Sequence, residues 1–193
     1  SYFYENVIAH TKAQRDQDHL NMVILSHPDI PDRTEAIKSG DSEKLVHMLQ
    51  EDARTLEKLG AANIAITCNT SHYYYDQIQK AVSVPIINMI HESVAYAVRE
   101  LPEVKRIGIM GTDGTIGSRI YHRECRKFGV TPVKPSPERQ KDVMSLIYDD
   151  IKSGKRGDRA KFDRVMSEFM RKNCDAVILA CTELSVFKGK HEI

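Results

Sequence analysis

The chain has 193 residues, 41% of them hydrophobic and 28% charged, which is enough to bury a sizeable core. Its formal net charge of +1 gives no electrostatic reason to expect nucleic acid or an anionic membrane as a partner. No apolar run approaches the roughly 18 residues that cross a bilayer. The four cysteines and eight histidines lack Cys-x-x-Cys and His-x-x-x-His spacings, which disfavours a metal site and favours reduced thiols in a cytoplasmic protein.

Residues 1–101 are predicted to form a first α/β half-domain. Short apolar runs predict its strands, and leucines at helical spacing followed by Gly60 predict a long amphipathic helix. A loop with two prolines, residues 27–34, separates the first strand from that helix. The predicted strands are residues 21–26, 62–67 and 84–88, and the predicted helices are residues 45–59, a segment opening at Cys68, and residues 90–101, stopped by Pro102.

Residues 102–193 are predicted to form a second half-domain of the same kind. A buried strand from residue 105 leads into a Gly-rich turn at residues 111–114, and a helix over residues 116–128 ends at Gly129. The turn lacks the lysine of a phosphate-binding P-loop, so we interpret it as a tight strand-to-helix turn. A helix capped by Ser136 and Pro137, a helix with apolar residues 162–170, and a strand at residues 175–180 complete the half.

Strands that alternate with helices predict parallel sheets with helices on both faces. Ligands of such folds bind at the carboxyl ends of the strands. Two short motifs lie there, Cys68-Asn69-Thr70 and Cys181-Thr182-Glu183, each directly after an apolar run. The free N–H groups of the following helix favour a thiolate and an anion at these positions. We therefore expect the two thiols to face one small substrate from opposite sides.

The two motifs belong to an internal duplication. Tyr4 lies 64 positions before Cys68, and Tyr121 lies 60 positions before Cys181, so the halves nearly superimpose. By this comparison the first half lacks its opening strand and turn, and the second lacks the strand that residues 84–88 provide after the first motif. We expect about 15 further residues before Ser1 in the natural chain, within ordinary boundary error.

Three segments together resemble the aspartate/glutamate racemase family, and the resemblance covers nearly the whole chain. They are residues 66–73 and 178–184, which contain the cysteine motifs, and residues 27–34, which contain Arg33. Glu183 resembles the aspartate-type branch, whereas glutamate racemases usually have histidine there. The resemblance implies racemisation of an acidic amino acid, aspartate above all, without pyridoxal phosphate. The absent opening strand is a departure from the family, so no residue is carried over for that part.

Within this resemblance the site residues receive roles. Cys68 and Cys181 exchange the roles of acid and base, and proximity to helix N-termini is expected to lower the thiol pKa towards neutrality. The family pattern puts Arg33 on the side-chain carboxylate of the substrate, with Lys152 as a second cation. The residues placed to bind the α-carboxylate are Asn69, Thr70 and Thr182. We expect no cofactor, no metal, a small amino-acid substrate and a homodimer.

Each assignment has an alternative. In the alternative interpretation the two thiols are buried structural cysteines, which is the role that we assign to Cys125 and Cys174. Arg33 is otherwise part of a surface ion pair, and Lys152 a partner of a helix dipole. His72 and Glu183 either orient the thiols or cap their helices. As an enzyme, the chain is alternatively a glutamate, broad-specificity or hydantoin racemase or a maleate isomerase. As a protein without catalytic activity, it is an acidic-ligand-binding or thiol redox protein.

Overall fold

The structure, a computed structural model, describes residues 2–190 of the chain. It has the predicted α/β architecture, with two small parallel sheets surrounded by helices. The first sheet pairs β1 (Ile64–Ala65) with β2 (Ile86–Ile87), and the second places β3 (Arg106–Gly111) between β4 (Thr131–Val133) and β5 (Ala176–Ala180). Both strands that precede the cysteine motifs are therefore parallel members of a sheet.

The helices precede the first strand, separate every two successive strands and follow the last one. They are α1 (Tyr2–His10), α2 (Arg33–Ser39), α3 (Glu43–Lys58), α4 (Tyr75–Gln79), α5 (Met89–Glu100), α6 (Asp113–Ser118), α7 (Ile120–Lys127), α8 (Pro137–Ser145), α9 (Arg159–Arg171) and α10 (Thr182–Lys190). Short 3₁₀ turns occupy Asp16–Asp18 and Thr70–Tyr74, and α8 continues into a π-helix at Leu146–Ile151. Within this described part of the chain, no helix has the length and apolar character needed to cross a bilayer.

Strand β3 forms the centre of the second half because both of its faces are covered. Ile107 and Ile109 are fully buried in a cluster that includes residues of α5 and α7. Met110 is buried on the other face among side chains of α8 and α9. Gly108 lets α9 approach, since a Cβ there would lie 2.8 Å from the Phe169 ring. The alternation of Ile107 and Ile109 with Gly108 and Met110 is the period of two expected of a strand.

The first half is built differently. Its core joins β1 and β2 to the inner faces of α2, α3 and α4. The strand predicted at residues 21–26 is wrong: this segment pairs with no strand among residues 2–190, and Val23, Ile24 and Leu25 are exposed. A β-branched run becomes a strand only where a neighbour supplies ladder hydrogen bonds, and here none does.

Several predicted helices differ in detail. The helix predicted over residues 116–128 is two helices, because Arg119 adopts a left-handed backbone with φ 58° between α6 and α7. Gly129 does adopt the predicted left-handed cap, with φ 72°. The helix expected to open at Cys68 begins as a 3₁₀ turn. Helix α2 and strand β4 were not predicted, Leu59 and Met170 are exposed rather than packed, and Cys174 is only partly buried, unlike the fully buried Cys125.

Four buried threonines join the two predicted halves. The hydroxyl of Thr112 lies 3.3 Å from that of Thr34 and 3.2 Å from that of Thr70, and Thr115 lies 3.0 Å from Thr70. Gly114 permits this approach, because a Cβ there would lie 2.8 Å from Thr34 Oγ1. The Gly-rich turn after β3 therefore packs the halves together, in agreement with its interpretation as a tight turn.

Candidate active site

A single pocket at the carboxyl ends of β1 and β5 is lined from both halves of the chain. It contains eight of the nine predicted site residues. The first half contributes Arg33, Cys68, Asn69 and Thr70, and the second contributes Lys152, Cys181, Thr182 and Glu183. The ninth predicted residue, His72, lies outside the lining. Two thiols separated by 113 positions thus share one cavity with two cations.

Cys181 follows β5 and caps α10. Its carbonyl accepts hydrogen bonds from the N–H groups of Leu184 at 3.1 Å and Ser185 at 3.4 Å. The thiol is buried and donates to Glu183 Oε2 at 2.8 Å. Burial raises the pKa of Cys181, and the negative charge of Glu183 raises it further. The lowered pKa expected from the helix N-terminus is therefore wrong for Cys181, and this residue is held as a protonated thiol.

Cys68 follows β1 in a different environment. It is partly exposed and lies beside the guanidinium of Arg33. Burial lowers the pKa of Arg33, but neighbouring Cys68 and the charge of Asp32 raise it, so the net shift is upward. No ion pair joins Arg33 to a carboxylate within residues 2–190. Cys68 therefore has a cation as its neighbour, whereas Cys181 has a carboxylate.

His72 holds the backbone of the first motif. Its Nδ1 lies 2.8 Å from the Cys68 carbonyl oxygen, and its Nε2 accepts from the Met89 N–H at 3.3 Å. Burial lowers the pKa of His72, so the ring is neutral and donates its Nδ1 proton to the carbonyl. The side chain acts on the position of Cys68 and does not contact the pocket.

Asn69 is oriented by a residue that sequence analysis did not assign to the site. Tyr121, fully buried in α7, donates its hydroxyl proton to Asn69 Oδ1 at 2.6 Å. Burial raises the pKa of Tyr121, so the hydroxyl remains a donor. Because its oxygen is occupied, Asn69 presents its amide N–H groups as donors. A buried tyrosine 52 positions away in sequence gives no local signal of this contact.

The hydroxyls of Thr70 and Thr182 are already engaged. Thr70 belongs to the threonine cluster between the halves, and Thr182 donates to Glu183 Oε2 at 3.1 Å. Both residues line the pocket. The donors that remain at these positions are backbone N–H groups at the starts of the 3₁₀ turn and α10, where unpaired N–H groups create an anion-binding end.

Lys152 enters the pocket from the π-helix. Its Nζ lies 4.1 Å from the centroid of the Tyr148 ring, which is a cation–π contact between residues one helical turn apart. The Tyr148 hydroxyl donates to Asp32 Oδ2 at 3.3 Å, which links the two halves across the pocket. Tyr148 and Asp32 both line the pocket and were missed in the sequence. The four-residue spacing of Tyr148 and Lys152 was the available signal for the first.

The pocket combines groups that bind anions with two carboxylates. Arg33, Lys152, the amide of Asn69 and the two helix starts bind anions. The carboxylates of Asp32 and Glu183 already accept hydrogen bonds from neighbouring side chains. Among residues 2–190, no group of three or more histidine, cysteine, aspartate or glutamate side chains is arranged to hold a metal ion. The arrangement suits a small dicarboxylate with a reacting carbon between two sulfur atoms.

Comparisons with known proteins agree with this geometry. The family model described as Asp/Glu/Hydantoin racemase matches residues 1–193. The broad specificity amino-acid racemase RacX of Bacillus subtilis is 29% identical over 90% of this chain and 73% of its own length. A glutamate racemase of Persephonella marina is 28% identical, and this chain covers 55% of it.

A solved structure has the same fold. The aspartate racemase of Picrophilus torridus superimposes with a TM-score of 0.83 at 28% identity, covering 100% of this chain and 80% of that one. The alignment includes the part of this chain that lies between the two cysteine motifs. The sequence and the fold therefore lead to the same group of proteins.

Proposed function

This chain belongs to the Asp/Glu/Hydantoin racemase family of isomerases, and on that premise we propose that it interconverts L- and D-aspartate by proton transfer between two cysteines. The observation that carries the proposal is the meeting of Cys68 and Cys181, from opposite halves, in one pocket. Inverting a stereocentre requires a base on one face of Cα and an acid on the other, and two thiols suffice for both.

The mechanism needs one thiolate and one thiol at the start. We assign the thiolate to Cys68, which lies beside the Arg33 guanidinium, and the thiol to Cys181, whose pKa is raised by burial and by Glu183. In one direction the Cys68 thiolate takes the Cα proton, and the Cys181 thiol delivers its own proton to the opposite face. The Cα–H bond breaks, a new Cα–H bond forms, and the enzyme is left with a Cys68 thiol and a Cys181 thiolate. In the reverse direction the Cys181 thiolate takes the Cα proton and the Cys68 thiol delivers its own, which restores the first state.

Substrate binding follows from the cations and donors around the thiols. We assign the side-chain carboxylate to Arg33, by a bidentate contact, and to Lys152. The α-carboxylate is assigned to the Asn69 amide and the backbone N–H groups of Thr70 and Thr182, which stabilise the charge that develops when Cα loses its proton. His72 and Glu183 act through the thiols, one by position and the other by protonation.

The decisive experiment follows the α-hydrogen in heavy water. Each enantiomer of aspartate should give product that carries deuterium at Cα, while the remaining substrate gains label more slowly at early times. Cys68→Ala and Cys181→Ala should each lose racemisation by roughly 100- to 10,000-fold, and each should exchange the Cα hydrogen of only one enantiomer, a different one in each variant. Cys174→Ala is the matched control, because that thiol lies outside the pocket. Normal racemisation by a folded Cys68→Ala or Cys181→Ala protein would refute the two-base assignment.

A second candidate is a broader substrate range, supported by the similarity to a broad specificity amino-acid racemase. Both candidates use the same thiols and differ in what the cations accept. Initial rates on aspartate, glutamate and an uncharged amino acid separate them. A preference for aspartate of tenfold or more supports the first candidate, and equal rates on the uncharged amino acid support the second.

We also propose that residues 1–101 and residues 102–193 form the two half-domains of each subunit, and that two such subunits form a homodimer in the cytoplasm. The reaction is proposed to need neither pyridoxal phosphate nor a metal. Activity should survive dialysis against a chelator and a carbonyl reagent. Light scattering should give twice the mass of one chain. Activity that returned only with pyridoxal phosphate would overturn the mechanism.

A further inference from the structure

The outer face of α7 carries a concentration of positive charge that the reaction does not use. His122, Arg123 and Arg126 lie on one face of the helix, and Arg119 is the residue directly before its first turn. Together they line a single concavity, which shares no residue with the pocket of the two cysteines. The three arginines are exposed and His122 is partly buried.

The charge on this face is not neutralised within the described chain. No ion pair in residues 2–190 connects Arg119, Arg123 or Arg126 to a carboxylate. The acidic residue of the same helix, Glu124, is buried on the other side, where it binds His91 and Lys127. Three guanidinium groups therefore lie together at one place on the surface, although the net charge of the whole chain is only +1.

The side chain of His122 lies among these positive charges, and they affect its pKa. Burial lowers the pKa of His122, and the charges of Arg119, Lys134 and Arg126 lower it further. Like charges at this helical spacing are also destabilising. One guanidinium is fixed, since Arg123 Nη1 donates to the Ser118 carbonyl at 2.9 Å.

We propose that this concavity on α7 binds a dianion of the phosphate class. Each guanidinium group can donate two parallel N–H hydrogen bonds to one ligand. A phosphate has enough oxygens to accept from several guanidinium groups, whereas a carboxylate has enough for only one. The recognised chemistry is the phosphate group, whether free or carried by a nucleotide. The site lies outside the racemisation pocket and does not depend on the proposed substrate.

The test is a titration of the intact protein with sodium phosphate at constant ionic strength, followed by NMR of the His122 ring. A saturable shift is expected with phosphate and not with chloride. Arg119→Gly together with Arg126→Gln should weaken binding by about tenfold or more, because charge-assisted hydrogen bonds are lost. Glycine is chosen because residue 119 has a positive φ, which glycine adopts without strain.

Arg171→Gln is the matched control, an exposed arginine at the end of α9. It should bind phosphate like the parent. Arg126→Gln alone, at an exposed position, provides a second variant that keeps the backbone unchanged. A parallel titration with adenosine monophosphate identifies the source: equal affinity indicates free phosphate, and tighter binding indicates a nucleotide. A His122 shift that is linear in phosphate, or an affinity unchanged in the arginine variants, would overturn the proposal.

Discussion

Cys68 and Cys181 end two copies of the same strand-to-turn motif, but their surroundings differ in burial and in charge. Cys68 is partly exposed beside the Arg33 guanidinium, whereas Cys181 is buried and donates its proton to Glu183. Burial beside a carboxylate stabilises a thiol. The two motifs are similar in sequence but have different neighbours, and the proposed mechanism uses this difference by making Cys68 the base and Cys181 the acid at rest.

Among the neighbours of the two thiols, the largest effect is expected from removing the cation beside Cys68. Arg33→Ala should lower kcat/KM for aspartate by roughly 30- to 1,000-fold, equivalent to about 2–4 kcal/mol of transition-state binding, because a bidentate charge-assisted contact is lost. Steady-state kinetics on both enantiomers measures it. Arg33→Lys should recover only part of the activity, since lysine lacks the planar fork.

Arg171→Ala controls for the loss of an arginine elsewhere. It should leave kcat/KM unchanged. If Arg33→Ala kept full aspartate turnover in a folded protein, the arginine would have no part in binding the substrate, and the functional difference between the two thiols would rest on burial and on Glu183.

Glu183 is the next test, because it acts on the other thiol. Removing the carboxylate charge in Glu183→Gln removes one cause of the raised pKa of Cys181, so that pKa falls. Catalysis needs one protonated thiol, and the alkaline limb of the kcat/KM profile should therefore move to lower pH. The loss of a charge-assisted hydrogen bond should also lower kcat/KM by roughly tenfold.

The equilibrium constant of a racemisation is one, so kcat/KM must be equal for the two enantiomers. The effect of Glu183 is therefore visible in the pH profile and not in a preferred direction. Glu183→Asp keeps the charge and should keep the alkaline limb close to that of the parent. An unchanged limb in Glu183→Gln would show that burial alone holds the proton on Cys181.

A smaller effect is expected from Tyr121, which acts on the first motif through Asn69. Tyr121→Phe leaves Asn69 Oδ1 without its partner at 2.6 Å, so the amide is free to turn its oxygen towards the substrate carboxylate. We expect KM to rise by about five- to tenfold with a smaller change in kcat, at a cost of about 1–3 kcal/mol in the free energy of unfolding.

Tyr96→Phe is the matched control, since Tyr96 is an exposed tyrosine on α5 outside the pocket. It should change neither KM nor stability. A Tyr121→Phe protein that lost stability without any change in KM would assign this hydroxyl to the fold alone.

The sequence was sufficient where the determinants are local. Each cysteine motif follows a run that supplies a strand to a parallel sheet, and ligands of such folds bind at the carboxyl ends of the strands, so both thiols were predicted at one site. The contacts of Tyr148 with Asp32 and of Tyr121 with Asn69 span 116 and 52 positions and depend on side-chain directions that no spacing encodes. The raised pKa of Cys181 was likewise missed because it follows from the burial of the thiol and from the direction in which Glu183 turns.

The smallest effect is expected in the segment where the strand prediction was wrong. Ile24 lies in residues 21–26 and is 60% exposed, whereas Ile109 lies in the central strand of the second half and is 0% exposed. Ile24→Ala should change the free energy of unfolding by less than about 0.5 kcal/mol, because an exposed side chain without packing partners contributes little.

Ile109→Ala is the matched core variant, and it should cost about 2–5 kcal/mol because it removes buried methyl groups and leaves a cavity between β3 and its covering helices. Urea unfolding of the two proteins, compared at equal m values, measures the difference. If Ile24→Ala lowered the free energy of unfolding as much as Ile109→Ala, the expectation would be contradicted. Residues 21–26 would then be buried in solution, and the packing of the first half would be closer to that of the second half than the structure shows.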